Sequence, residues 1–557
     1  MLKKNSFTLF FLIFTLIYFL PYFRMGLPVT HDGENHVARF AQYYLALKQG
    51  QFPPRLAPTL ANGFGLPVFN YNYPLANILS LPLSVLKIDF EIQFKLLVIG
   101  GFFMAAWGFN LLLTSWHFKR CQRLFPLLCF LLSPYLYTAI WYRGSIGEIL
   151  QYYLLPWLLF AFERSFFSST LSQQRRFTWL LVGCQVQFLL AHNVMVLIMA
   201  PFLFVYQVYR LWSKKRQEIK RYLSLWLLCG CLVAWFWLPA LGEKSLINLD
   251  NDTLSFNYAH HFLSAAQLFS FWPQQGLSFL GRVDGLSFGL GLPAILVLSL
   301  VIYLVGRHRQ LLRFTALPLW FLIGSTLLLL WWQTSASAFL WSALPFFNYV
   351  QFPWRLGLLV SFLIALLSSA LVIKKNTRSF FAAVIIIQTL ILCWSWPKNF
   401  FHHSRLDYLT YPQTTTTSGE NFPRTFSYPY FQADTTKPVD FLVGSGEIGL
   451  IKANTTSKHY QLSCFTSECL LTEQTAYFPG FVTTINGQPT TYFNNEQVGG
   501  RLAYQVTTGN YQVVSKFTQK TPVRLFANAL SAAALLLVLY KSLSHLANFS
   551  RWTKRLK

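Results

Sequence analysis

Thr30-His-Asp-Gly-Glu-Asn-His-Val-Ala-Arg-Phe40 places two carboxylates, Asp32 and Glu34, beside two imidazoles, His31 and His36. A carboxylate in such a cluster can take a proton from an attacking hydroxyl, an imidazole can share one near neutral pH, and the acids together suit a hard divalent cation. A plainer role competes. Asp32 or Asn35 could cap a helix, since Val37, Phe40, Ala41, Tyr44 and Leu45 recur at helical spacing. Three further polar clusters interrupt long apolar stretches: Tyr142-Arg-Gly-Ser-Ile-Gly-Glu148, His192-Asn193 and Gln351-Phe-Pro-Trp-Arg355. Arginine offers a rigid fork for phosphate oxygens and can stabilise charge on a leaving phosphate. Each cluster also has a structural explanation: His192 as a hydrogen-bonded turn residue, Trp354 as part of an interfacial belt, Arg355 on a lipid phosphate.

The elements that must position these groups are membrane spans. Of 557 residues, 54% are hydrophobic and 11% charged, and the apolar residues fall in blocks of about twenty, enough to cross a hydrocarbon core. The blocks run approximately Phe7 to Phe23, Phe94 to Trp116, Leu124 to Ile140, Ile149 to Phe162, Phe177 to Leu190, Val194 to Tyr209, Tyr222 to Leu241, Phe288 to Val305, Phe314 to Trp332, Leu356 to Ile373, Phe380 to Trp396 and Val523 to Tyr540. The expected fold is a polytopic α-helical membrane protein of about 12 transmembrane helices. Met1-Leu-Lys-Lys followed by Phe7 to Phe23 has no small-residue cleavage site and reads as a retained first span.

The net charge of +26 does not point to nucleic acid, because Lys and Arg gather in short clusters between apolar blocks rather than on one polar face. With a cytoplasmic N-terminus, strict alternation puts Lys119/Arg120/Arg123, Arg164/Arg175/Arg176, Arg210 through Arg221, Arg307/Arg309/Arg313, Lys374/Lys375/Arg378 and the C-terminal tail on the cytoplasmic side of a plasma membrane. The opposite, extracytoplasmic side receives a long first loop (24–93) and residues 397–522. The first domain is then 1–396, and 523–557 hold the last helix and a basic cytoplasmic tail. In 397–522 the composition turns to Thr, Ser, Asn and Tyr with alternating stretches, Arg501 to Val506 and Tyr511 to Lys516, joined by Thr508-Gly-Asn510, and with a hairpin signal at Asn486-Gly487. This predicts a small extracytoplasmic β-sandwich inserted before the last helix. Gln413 to Gly419 reads as a flexible lead-in, and Cys464 and Cys469 are close enough in sequence for a local disulfide if the region is oxidised.

All four polar clusters then lie on one extracytoplasmic rim. A shared site explains that gathering of acids, arginines and imidazoles more simply than four separate structural roles. No Gly-Lys-Ser/Thr phosphate loop is present, so an activated substrate reaching this rim would arrive in the bilayer as a lipid phosphate.

His31-Asp32 with His36, the Gly63-Phe-Gly-Leu-Pro-Val-Phe-Asn-Tyr-Asn-Tyr-Pro74 run, Arg143-Gly144 with Glu148, His192-Asn193 and Pro353-Trp354-Arg355 resemble, in that order, the bacterial membrane family labelled 6-pyruvoyl-tetrahydropterin synthase-related. That family resembles the GT-C superfamily of integral-membrane glycosyltransferases, as does the YfhO-like group. Tyr477-Phe-Pro-Gly-Phe-Val482 followed by Asn486-Gly487 is similar to the β domain ending YfhO-like chains. The resemblance implies a GT-C-like fold and a polyprenyl-phosphate-linked sugar as donor. It implies an acceptor hydroxyl of unknown identity, with Asp32 as catalytic base. His36 and Glu148 would support catalysis, Arg143 and Arg355 would hold the donor phosphate, and His31, Glu34, His192 and Asn193 would surround them. A divalent cation (Mg or Mn) on Asp32 and Glu148 is one version. Gly33 and Glu34 stand where many superfamily members carry an adjacent Asp-Glu pair, which leaves metal use open. Two other readings compete: a transporter or flippase of lipid-linked glycans, against which no pair of Gly/Pro-broken spans is visible in matching halves, and a non-catalytic glycan-binding membrane protein.

Overall fold

The computed structural model describes residues 2–249, 258–276, 285, 286, 288–308, 312, 318–416, 419–427, 437–493 and 498–555, with the side chains of 2–7, 345, 346 and 543–555 left aside. The chain divides into two compact units: Met1–Val37, Ile78–Ile219 and Thr253–His403 form one, and Ala38–Asn77, Lys220–Asp252 and Ser404–Lys557 the other.

The first unit is helical. Its elements are α1 (Leu2–Tyr18), the start of α2 (Gly33–Lys48), most of α3 (Leu75–Val85), α4 (Phe90–Ser115), α5 (Arg120–Leu131), α6 (Ile146–Phe167), α7 (Leu171–Ala191), α8 (Asn193–Lys214), α9 (Leu292–Arg307), α10 (Leu319–Trp332), α11 (Gly357–Ser368) and α12 (Arg378–Trp394). A short antiparallel pair, β1 (Leu27–Pro28) with β2 (Phe400–Phe401), joins the exit of α1 to that of α12. Helix starts follow their capping residues: the Thr170 hydroxyl accepts from Gln173 N at 3.3 Å before α7, and His192 Nδ1 accepts from Met195 N at 3.4 Å before α8.

The chain is a membrane protein. Among the described residues four helices are long and apolar enough to cross a bilayer, Phe90–Ser115, Asn193–Lys214, Lys375–Trp394 and Pro522–Ser542, and three bent pairs raise the number to seven. The expected count of about twelve is not confirmed, and among the described residues several blocks fold as shorter pieces. For example, α9 has 16 residues and α11 has 12, against about 20 for a straight crossing. The start of the Phe314 block lies outside the described residues. Three helix pairs are bent, Arg120–Leu131 with Pro134–Arg143 (43°), Arg216–Leu232 with Ala234–Gly242 (69°) and Leu319–Trp332 with Ser335–Ala343 (94°), beyond the Gly/Pro-broken spans in matching halves that the sequence was searched for. Only the first break carries a proline, Pro134, so composition gave no sign of the other two. The first loop also holds an apolar helix, α3, beside the expected loop.

In the second unit, β3 (Val439–Val443), β4 (Gly446–Asn454), β5 (Ser457–Ala476), β6 (Phe481–Ile485), β7 (Gln488–Pro489) and β8 (Arg501–Phe517) form one antiparallel sheet in the order β3-β5-β8-β6-β7, with β4 also on β5. Among the described residues the expected sandwich of two sheets is therefore a single sheet whose long central strands bend. Cys464 pairs with Gly509 and Glu468 with Thr507, so three β5 residues bulge out of the ladder. The Cys464–Cys469 disulfide closes that bulge, and Gly509, at φ +150°, supplies the bend opposite. Thr508-Gly-Asn510 is thus a bend inside one strand, β8, which carries both alternating stretches. Tyr460, Leu462 and Val513 on one side of the bend share a core with Val439, Leu471, Tyr504 and Val506 on the other. Asn486 and Gly487, at φ +50° and +82°, do make the two-residue turn between β6 and β7 that their types favour. Of the predicted lead-in, Thr417 and Ser418 lie outside the described residues, while Thr415 is buried and accepts from the Arg39 guanidinium at 3.1 Å.

Lys458 and Glu473 form a buried pair in this sheet, with Nζ and Oε2 3.6 Å apart. Tyr460 and Ser515 donate hydroxyl hydrogen bonds to the carboxylate, and Lys458 donates to the Thr475 hydroxyl. Burial pushes the lysine down and the carboxyl up, against their mutual attraction. Removing one partner strands the other in a dry site. Lys458→Met or Glu473→Leu alone should each cost about 3–5 kcal/mol, and the double change less than either. Thermal unfolding of the full chain in detergent measures this, and additive single effects would show that the pair is not coupled.

Candidate active site

Glu148 anchors a polar cluster inside the first unit. It sits in the first turn of α6, where helix-end amides favour an anion, and its side chain is 0% exposed. Arg143 Nη1 donates to Glu148 Oε2 at 2.5 Å, Tyr135 Oη donates to the same oxygen at 2.8 Å, and Arg355 Nε donates to Oε1 at 3.1 Å. His192 Nε2 lies 3.8 Å from Oε1 while its Nδ1 caps α8. The turn residue and the site residue, set against each other in the sequence, are the same histidine.

The chain brings Arg143 to this carboxylate by a π-helical turn, Ala139–Arg143, ended by Gly144 in the left-handed region at φ +63°. Arg355 comes from a 3-10 turn, Pro353–Leu356, and also donates to the Val350 carbonyl and Gln351 Oε1. Aromatic rings complete the frame. Trp354 is 1% exposed, stacks on Phe288 at 4.0 Å and has the Arg143 guanidinium 4.7 Å above its ring. The interfacial-belt reading of Trp354 and the lipid-phosphate reading of Arg355 are therefore corrected: both side chains are buried, paired with each other's neighbours around Glu148.

Asp32 is held on the same frame by backbone. His31 N donates to the Tyr142 carbonyl at 3.1 Å and Asp32 N to the Arg143 carbonyl at 2.8 Å, while Thr30 Oγ1 accepts from Gly33 N at 3.1 Å. Gly144 allows this approach, since a Cβ there would lie 2.8 Å from the Gly33 backbone. Asp32 precedes α2, and its carbonyl accepts the first helical bond from His36 N. Asp32 thus enters the helix start through its backbone, with its carboxylate left beside Arg143. Among the described residues, the partner of its carboxylate is Arg143 Nη2 at 3.8 Å, outside hydrogen-bond range, and the side chain is 41% exposed. The two acids thus differ: Glu148 is sealed and saturated, whereas Asp32 faces outward with lone pairs to spare.

The remaining predicted residues scatter around this pair. His31 is held below the usual imidazole value by burial, with Arg143 pushing the same way and Asp32 opposing. Asn193 opens α8 beside His192, and His36 is buried on the first turn of α2. Glu34 turns away to His403 Nε2 at 3.3 Å, and buried Glu91 takes His402 Nδ1 at 2.8 Å. Tyr135 and the His402-His403 pair escaped the sequence reading. The tyrosine is one of 27 and nothing singles it out, but two adjacent histidines just past a span were a legible signal.

Asp32 and Glu148 do not fit a shared divalent cation, because the Arg143 guanidinium already fills the space between them. Among the described residues no three His, Cys, Asp or Glu side chains come together as a metal site.

No family model and no curated protein matches the chain. Among solved structures it is similar to the single-particle cryo-EM structure of the arabinofuranosyltransferase AftD from Mycobacteria, at 16% identity and a TM-score of 0.43, over 70% of this chain and 26% of that one. It is similar to two classes of a mutant of the same protein, at 15% and 18% identity with TM-scores of 0.39 and 0.41, again over 70% of this chain and 28% of that chain. The chain thus spans little more than a quarter of the AftD chains it matches.

Glu148→Gln leaves two buried guanidiniums sharing no anion and should cost about 3–5 kcal/mol, whereas Asp32→Asn, at an exposed carboxylate, should change stability little. Unfolding of both variants in detergent compares them, and equal losses would contradict the division between the two acids. A histidine with a depressed folded-state pKa contributes stability that is complete above its unfolded value, near 6.5, and is lost as pH falls through the folded one. His31→Gln should therefore reduce the acid-side drop in Tm below about pH 6.5. An unchanged Tm profile would show that His31 is not held neutral.

Proposed function

We propose that this chain is an integral-membrane glycosyltransferase of GT-C type. It moves a sugar from a polyprenyl-phosphate carrier to a hydroxyl of an extracytoplasmic acceptor. The observation that carries the reading is the exposed Asp32 carboxylate beside a guanidinium that a buried partner holds in place. In the reaction, Asp32 removes the acceptor's hydroxyl proton and the oxygen bonds to the anomeric carbon. The bond from that carbon to the phosphate oxygen breaks, and its electron pair leaves with the polyprenyl phosphate. Arg143 and, behind it, Arg355 stabilise the charge that appears there. Glu148 and His192 act as positioning residues. The step needs no metal: the guanidinium supplies the positive charge that a cation would.

The sequence supports the rest of this reading. Alternating basic clusters support a topology with both termini in the cytoplasm and the site and β domain outside a plasma membrane crossed about twelve times, with 1–396, 397–522 and 523–557 as its parts. The donor is lipid-linked because the rim meets the bilayer and no nucleotide motif is present.

Asp32→Asn keeps the shape and removes the base. Transfer of labelled sugar from polyprenyl phosphate to membrane acceptors should fall at least a hundredfold, with insertion unchanged; full activity in this variant would refute the assignment. The three bent helix pairs favour one second reading, a mover of intact lipid-linked glycan. In that case labelled carrier would cross vesicles without loss of its sugar, and Asp32→Asn would leave crossing intact.

A further inference from the structure

We propose a binding site for an anionic phospholipid at the basic end of the first unit, remote in function from the Asp32 site. A cavity of about 730 Å³ lies between α1, α5, the segment after α11 and α12. That volume is in the range of built ligand pockets, about 300–1,000 Å³. Its walls are apolar: Phe14 from α1, Leu124 and Leu128 from α5, Phe381 and Ile385 from α12. The few polar groups in the walls are spent within their own segments. The Thr389 hydroxyl donates to the Ile385 carbonyl at 2.8 Å, the Ser368 hydroxyl to the Ala365 carbonyl at 2.7 Å, and Gln122 Oε1 accepts from Lys119 N at 2.9 Å. Water gains little in such a space, and an acyl chain fits its chemistry. The Lys375–Trp394 span is peripheral, with 22% of its apolar window buried, so lipid reaches this side of the bundle.

The mouth of the cavity selects the headgroup. Arg378 lines it and is exposed, and as the first residue of α12 it adds its charge to the positive end of that helix. Lys374 and Lys375 precede it, Arg120 adjoins the lining residue Cys121, and no acid occurs in 116–131 or 368–394. An apolar cleft between spans under a one-sign basic rim matches a lipid with an acyl chain and a phosphate of net negative charge. The occupant is a phospholipid such as phosphatidylglycerol, not the sugar donor, because the rim belongs to the basic clusters and not to the Asp32 side.

The full chain, purified in detergent and mixed with phosphatidylglycerol or phosphatidylcholine, tests this by native mass spectrometry. The protein should retain phosphatidylglycerol in preference. Arg378→Gln should weaken that retention about fivefold, and Ala382→Trp, which fills the cavity without changing charge, should abolish it. Equal retention of the two lipids, or wild-type retention of phosphatidylglycerol by Ala382→Trp, overturns the proposal. The unaltered chain gives a second measure should the tryptophan variant fail to fold. Alkylation of exposed Cys121 should slow when phosphatidylglycerol, but not phosphatidylcholine, is added, and an unchanged rate overturns the site.

Discussion

A carboxylate with no access to water is tolerated only when its charge is answered at close range, and Glu148 is answered by two guanidiniums and a phenol. The rest of the site follows from that constraint. Arg143 must reach inward, so its turn widens to π-helical geometry and ends on a left-handed glycine. Arg355 must reach inward too, so the aromatic residues around it, Phe352 and Trp354, are drawn from the surface into a stack. What remains for the outside is one edge of Arg143 and the neighbouring carboxylate, Asp32, which backbone hydrogen bonds fix against that turn. Rigidity below the surface is what allows an exposed group to keep a defined partner.

The charges in this arrangement balance before any ligand arrives: two acids face two arginines, and burial keeps His31 uncharged near neutrality. In the proposed transfer, a carrier phosphodiester gains one negative charge as it becomes a phosphomonoester, while Asp32 loses one by taking a proton. The total in the pocket does not change. A low-dielectric site can host such a step without recruiting counter-ions, because the new charge appears beside a guanidinium that the old one has just released.

The sequence disclosed the members of the polar cluster more readily than their geometry. Asp32, Arg143, Glu148, His192 and Arg355 were legible because ionisable residues interrupting apolar blocks are costly and stand out. Their division of labour was not, since burial decides which acid is sealed and which is free, and burial depends on side chains far along the chain such as Tyr135. Glu34 looked equivalent to Asp32 in composition, yet one helical step turns it toward His403. In the β domain the alternating stretches announced strands, and Asn486-Gly487 announced its turn. The bend at Gly509 was not legible, because a glycine joining two alternating stretches fits both a turn and a kink, and only the partner strand, β5, distinguishes them. The bent helices had the same difficulty in another form: two of three breaks involve neither proline nor glycine, so packing imposed what composition did not signal.

The Glu148 pairing also has a history written into the chain order. Arg143 is five residues from its partner, on the turn just before it, whereas Arg355 follows 207 residues later. At a synthesis rate of about 5–20 residues per second, the second arginine emerges roughly 10–40 s after the acid has entered the membrane. During that interval Arg143 is the partner of Glu148 that the chain already carries. The late arrival of Arg355 then supplies the second positive charge that balances Asp32 and Glu148 together, so the site reaches its neutral count only once the segment carrying that arginine has taken its place.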